Sequence, residues 1–203
     1  LAGGLGLWSV GGAERLLLRS RKHECIILQC IYDHFTIESL IMIFSYDQLY
    51  QFTFSIFKSI GCSDEHAKIA TTGLIAADIR GIDSHGVARL TGYVRLWEAG
   101  RVNANPDIKI VHETPSTAVV DGDAGLGLVV APFAMQVAIN KAKNVGTGWV
   151  SVRNSNHFGI AGHHAMMALE HDMIGMAMTN ASALVAPTFS IERMLGTNPI
   201  AVA

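Results

Sequence analysis

From Met42 onward the apolar positions fall into regular steps. Leu49, Phe52, Ile56 and Ile60 recur every three to four residues and stop at Gly61, which predicts a helix with one buried stripe and a glycine terminator. Ser63 is placed to cap a second helix, in which Ala67, Ala70, Leu74 and Ala77 form a narrow stripe of small residues suited to close helix packing. That pattern runs out near "RGID". A third helix is predicted from Ser84 to Gly100, with Val87, Leu90, Val94 and Trp97 turned to the core.

Beyond Gly100 the period changes. "DIKIVHE" alternates, "STAVVDG" reads as a short buried strand, and "LVVAPFAMQVAINKAKNVG" reads as a helix that accommodates Pro132 in its first turn. "GWVSVRN" is a strand, "AGHHAMMALEHD" a helix, "MIGMAMTN" a strand, and "LGTNPIAVA" a turn entering another strand. Helices followed by alternating strands and helices predict a mixed α/β fold behind a helical N-terminal part. Ala203 falls inside an apolar strand pattern, so the chain is expected to be the N-terminal piece of a longer one.

The first 41 residues follow no clean period, and the first methionine is Met42. Their longest apolar run is broken by Asp33, His34 and Glu38, short of the ~20 apolar residues a bilayer span needs. The basic run "RLLLRSRK" follows the apolar "LAGGLGLWSV", the reverse of a signal peptide. The expected organisation is a non-native leader or artefact over 1–41, a helical part over 42–115, and an incomplete α/β domain over 116–203.

Composition narrows the function. Half of the 203 residues are apolar, enough for a core, while 15 basic against 17 acidic residues give no concentrated positive face for nucleic acid. Cys25, Cys30 and Cys62 are odd in number and have no CxxC spacing, which fits buried thiols in a reducing, cytoplasmic setting. Neither nucleic acid nor membrane is expected as a partner.

The chemistry concentrates in "AADIRGIDSHGVARLTGY". On a continuous helix His85, Arg89 and Tyr93 lie at i, i+4 and i+8 and share one broad face. Ser84 at the helix start would favour an anion there, Arg89 would clamp a carboxylate, His85 would offer a proton near neutral pH, and Asp83 would orient it. Spacing alone leaves a plainer reading open, in which Ser84 only caps, Arg89 is solvated and His85 is structural. A second cluster, "VRNSNHFGIAGHH", places His157 in a strand-to-helix loop, where Gly159 and Gly162 permit close approach of a ligand. His163, His164 and His171 are expected on a helix surface. A zinc site on His157 and His163 has neither HExxH spacing nor an acidic residue before Glu170, and no metal is expected. "VVDGDAGLGLVV" is not GxGxxG, so Asp121 to Gly127 reads as a tight turn instead of a Rossmann fingerprint.

Five blocks in order, "AADIRGIDSHGVARLTGY", "AVVDGDAGLG", "VRNSNHFGIAGHHAMMA", "MTNASALVAP" and "MLGTNPIAVA", resemble the malate/L-lactate dehydrogenase family of non-Rossmann, NAD(P)-dependent 2-hydroxyacid oxidoreductases. The resemblance covers residues 42–203. It implies a nicotinamide-binding domain with a mainly antiparallel sheet, C-terminally truncated here, and a homodimer using NAD or NADP on a small 2-hydroxy or 2-oxo acid. It also implies catalytic roles for His157 and His85, substrate contacts from Ser84, Arg89 and Tyr93, and cofactor contacts from Asn180, Ser182, Thr197 and Asn198. "PTFS" at Pro187–Ser190 departs from the family's glycine-rich turn. The alternatives are an inactive fragment serving as a binding or structural module, and a metal-dependent hydrolase.

Overall fold

The computed structural model describes residues 42–203, together with the backbone of three short strands ahead of them. β1 (Leu7–Val10) pairs antiparallel with β2 (Ala13–Leu16), and β3 (Glu24–Ile27) pairs antiparallel with β4 (Met42–Ser45). The rest of the expected 1–41 leader, and the side chains of Cys25 and Cys30, lie outside the described residues. Cys62 is a buried free thiol, its pKa pushed up to about 11 by burial.

α1 (Tyr46–Ser59) starts at a capping box: the Gln48 N–H donates to Ser45 Oγ at 3.2 Å, and the Ser45 N–H to Gln48 Oε1 at 2.9 Å. Its buried stripe is Leu49, Thr53 and Phe57, whereas Phe52 faces solvent. α2 (Asp64–Ile79) is capped by Ser63, whose Oγ accepts the His66 N–H at 3.1 Å. Ala67, Ala70, Leu74 and Ala77 are all fully buried, as their spacing predicts.

The third helix does not begin at Ser84. Two three-residue 3-10 turns, Asp83–His85 and Val87–Arg89, precede α3 (Leu90–Glu98). Between them Gly86 is extended, at φ −89° and ψ −150°, and leaves no room for a Cβ against the Asp78 carboxylate. Asp78 Oδ2 accepts the Val87 N–H at 2.8 Å, so α2 dictates where this segment bends. In α3 Leu90 and Tyr93 are buried, while Trp97, an expected core position, is exposed.

The sheet order is β5 (Lys109–Glu113), β6 (Thr117–Gly125), β7 (Trp149–Ser155). β5 and β6 are antiparallel; β6 and β7 are parallel, joined through α4 (Gly127–Val145). A separate antiparallel pair is made by β8 (Met176–Met178) and β9 (Ile200–Val202). Antiparallel pairing therefore predominates in a mixed α/β fold. Two local expectations are corrected. β6 continues to Gly125 instead of turning at Asp121, with Asp123 and Ala124 at φ 49° and 54° in an irregular stretch of the ladder. Pro132 sits in the second turn of α4, not the first, where it forgoes the bond to the Leu128 carbonyl.

One core cluster joins α1, α2 and α3 to the start of α4, through Phe57, Leu74, Tyr93, Leu126 and Leu128. α5 (Ala161–Met166) and the 3-10 turn Met167–His171 follow β7, and α5 packs against β8 and β9 through Ala161, Ala165 and Ala177. Among the described residues no helix is long and apolar enough to cross a membrane.

Candidate active site

Tyr93 and His157 are 64 positions apart and meet where α3 faces the β7–α5 loop. Tyr93 is 2% exposed, its ring tilted against Phe57 with centroids 6.2 Å apart. That packing aims the hydroxyl at His157, whose Nδ1 lies 2.7 Å away. The Gly159 N–H also points at this Nδ1, at 3.3 Å. An N–H can only donate, so Nδ1 is the accepting nitrogen, and the neutral ring carries its proton on Nε2. The loop is pinned from behind by Asn156, whose amide donates to the carbonyls of Ala124 at 2.8 Å and Gly125 at 3.1 Å.

The His85 ring stacks on that of His157, with centroids 5.5 Å apart and planes 27° from parallel. Ser84 Oγ is 2.9 Å from His85 Nδ1. The ring's hydrogen-bond partner is thus Ser84, not Asp83 as expected. Arg89 Nε donates to the Ser84 carbonyl at 2.7 Å, which ties the guanidinium to the same turn while the side chain stays exposed. Ser84 is not a helix cap: α3 begins at Leu90, so the dipole argument for an anion at Ser84 fails, and Arg89 supplies the positive charge instead.

Both imidazoles have depressed pKa values. For His157 the causes are loss of hydration first, then the Arg89 charge and His85. For His85 they are burial and then Arg89. His157 keeps an exposed side, so its pairing with Tyr93 and the stacked His85 matters more than the size of the shift. Burial raises the Tyr93 phenol, which stays protonated. Asp78 is 5% exposed, and burial lifts its carboxyl to about 6 against the opposing pull of the Val87 N–H.

Asn180, Ser182, Thr197 and Asn198 lie together on an exposed loop between β8 and β9. Asn198 Oδ1 accepts the Ala181 N–H at 2.9 Å and closes that loop. Among the described residues no hydrogen bond joins these four to His85 or His157. Within the loop the Ser190 N–H donates to the Pro187 carbonyl at 2.9 Å, so a turn forms at "PTFS" without glycine, and Phe189 takes the left-handed φ of 65°. Two surface hollows of about 290 and 320 Å³ lie away from the histidine pair, one beside Asp107, Asp121 and Asp123, the other beside Lys68, His163 and Glu170.

The matching family model, described as malate/L-lactate dehydrogenase, aligns with residues 44–203. The chain belongs to the malate/L-lactate dehydrogenase family. It is 54% identical over 157 residues to a malate dehydrogenase of Pyrococcus abyssi, covering 77% of this chain and 43% of that one. It is 50% identical to an L-sulfolactate dehydrogenase of Methanocaldococcus jannaschii, over 73% of this chain and 43% of the relative. The solved malate dehydrogenase of Pyrococcus horikoshii OT3 superposes with a TM-score of 0.75 at 52% identity, over 77% of this chain and 45% of that one. The chain spans less than half the length of these relatives.

Sequence reasoning missed several residues that shape this family member's site. Asp78 sits among the apolar positions of α2 and gave no signal beyond being a carboxylate in a hydrophobic run. Gly127 admits no Cβ beside the Asn156 and His157 carbonyls, so it lets the His157 loop lie against the start of α4. His164, expected on a helix surface, is 1% exposed. The helix read over "AGHHAMMALEHD" did not show that Phe158 would cover the His164 ring.

Proposed function

We propose that the protein is an oxidoreductase that moves a hydride between NAD or NADP and a small 2-hydroxy or 2-oxo acid such as malate or lactate. The observation that carries this reading is the ring-to-ring approach of His85 and His157 beside Tyr93 and Arg89. An acid anion and a mobile proton need those groups together. The names of the relatives, malate and sulfolactate dehydrogenases, support the substrate class.

Asn180, Ser182 and Thr197 are exposed neutral donors and acceptors, and Asn198 offers its amide beside them. That set fits a nicotinamide carboxamide and pyrophosphate, and these residues would hold the cofactor. When bound, the cofactor gives hydride to the 2-oxo carbon or accepts it from the 2-hydroxy carbon. Arg89, with Ser84 at its base, grips the carboxylate and fixes which carbonyl face is presented. The doubly protonated His157 ring gives its Nε2 proton to the developing alkoxide and is left neutral with its proton on Nδ1; in the reverse direction that tautomer takes the hydroxyl proton on Nε2. The Tyr93 hydroxyl serves both ring states, donating to Nδ1 when it is bare and accepting when it is protonated. His85 lies over the ring and polarises the substrate oxygen. The protein works as a cytoplasmic homodimer, with residues 42–115 forming the helical part and 116–203 belonging to the nicotinamide-binding domain.

The test is steady-state kinetics with malate, lactate and sulfolactate and both cofactors. His157→Ala is expected to lower kcat by about 100-fold or more with cofactor binding unchanged. Arg89→Ala is expected to raise KM for the acid roughly tenfold or more. Retained turnover in the first variant removes His157 from proton transfer; an unchanged KM in the second assigns the carboxylate to another group.

A further inference from the structure

The two adjacent histidines of α5 play no part in the chemistry above, yet one is sealed inside the fold. His164 lies against the Phe158 ring, with centroids 4.9 Å apart and planes at 29°, and meets the His163 ring edge-on at 5.4 Å. Its Nε2 is 2.7 Å from the Phe158 carbonyl oxygen. A carbonyl only accepts, so Nε2 carries the hydrogen. Nδ1 is buried without a partner among the described residues, consistent with a bare lone pair on a neutral ring whose pKa burial pushes down to about 4.

The carbonyl that His164 holds belongs to the peptide group between Phe158 and Gly159. The N–H of that same peptide group is the one directed at His157 Nδ1. A single amide therefore links the two imidazoles: the His164 N–H to the Phe158 oxygen, and the Gly159 N–H to His157. Pulling on the oxygen of an amide strengthens its N–H as a donor. Glycine is required where this peptide group ends, because Gly159 is at φ +77° and a Cβ there would meet Leu128 at 2.8 Å.

We propose that His164 is a positioning residue for His157. Through the Phe158–Gly159 peptide group it holds an N–H on His157 Nδ1, which fixes the orientation of the ring and keeps the single proton of the resting, neutral imidazole on Nε2. The proposal rests on the reading of His157 as the proton-transfer group and gives His164 a role that its lack of access to substrate would otherwise rule out.

The experiment combines imidazole ¹⁵N NMR with kinetics on the wild-type enzyme, His164→Phe, His164→Gln and His157→Ala. In the wild type near pH 7, His164 and His157 should both show the pattern of a neutral ring protonated at Nε2; the opposite tautomer in either ring overturns the proposal. His164→Phe fills the space but donates nothing, so the His157 signals should move toward mixed tautomers and kcat should fall roughly tenfold with KM little changed. His164→Gln keeps an N–H donor and should restore most of both. Unaltered His157 signals in His164→Phe overturn the positioning role, as does failure of the Gln variant to recover them where the Phe variant loses them. Full turnover by His157→Ala defeats the proton-transfer reading instead, a result the ring signals do not depend on.

Discussion

Arg89 lowers the proton affinity of His157, and an acid anion seated on Arg89 would cancel part of that effect. The sign follows directly. The free ring has a depressed pKa and the liganded ring a higher one, so binding takes up a proton and is favoured as pH falls through the window between the two values. A nonreacting acid such as oxalate should bind more tightly at pH 5 than at pH 7. Calorimetry in two buffers of different ionisation enthalpy should show the matching proton uptake, and a constant Kd with no uptake would uncouple Arg89 from the ring. Phe189 poses a different problem at the same scale. It is fully exposed, makes a left-handed turn, and bears the steric cost that a glycine avoids. Phe189→Gly should stabilise the protein by about 0.5–1 kcal/mol, once the extra freedom of unfolded glycine is deducted. Thermal unfolding checks this, and a lower Tm would show that the aromatic ring has a partner.

Among the elements, α2 governs the Arg89 end of the candidate site, because its last turn carries Asp78. The carboxylate holds the Val87 N–H and sets the bend on which Ser84, His85 and Arg89 are displayed. Asp78→Ala would leave that N–H without its acceptor, at a cost of about 1–3 kcal/mol. The urea midpoint should drop accordingly and KM for the acid should rise, while Asp78→Asn, which keeps an acceptor oxygen, should do less of both. Equal stability of the Ala variant would refute the anchoring role. This element also shows where sequence pattern stops being informative. Ser63, Ala67, Ala70 and Leu74 were legible because capping and periodicity are local properties. The break at Gly86 was not, because it depends on a carboxylate eight positions earlier meeting a backbone that has no side chain. His85, Arg89 and Tyr93 were named from one helical face, yet only Tyr93 lies on α3; the other two are displayed by turns. The burial of His164 was hidden for a similar reason, since alternation along α5 cannot say which ring the preceding loop will cover.

For the molecule as a whole, the order of strands matters more than their number. β5 and β6 are joined by a short connection and can zip together locally, whereas β7 runs parallel to β6 and pairs only after the 19 residues of α4 have crossed over. Its last residue, Ser155, leads straight into the Asn156–Gly159 loop. During synthesis, then, the ribosome releases the helices well before the loop that carries His157 can find its slot. A denatured sample returned to buffer should regain its far-ultraviolet helix signal first and its ability to turn over substrate later. If the two recoveries coincide, the crossover is not the slow step.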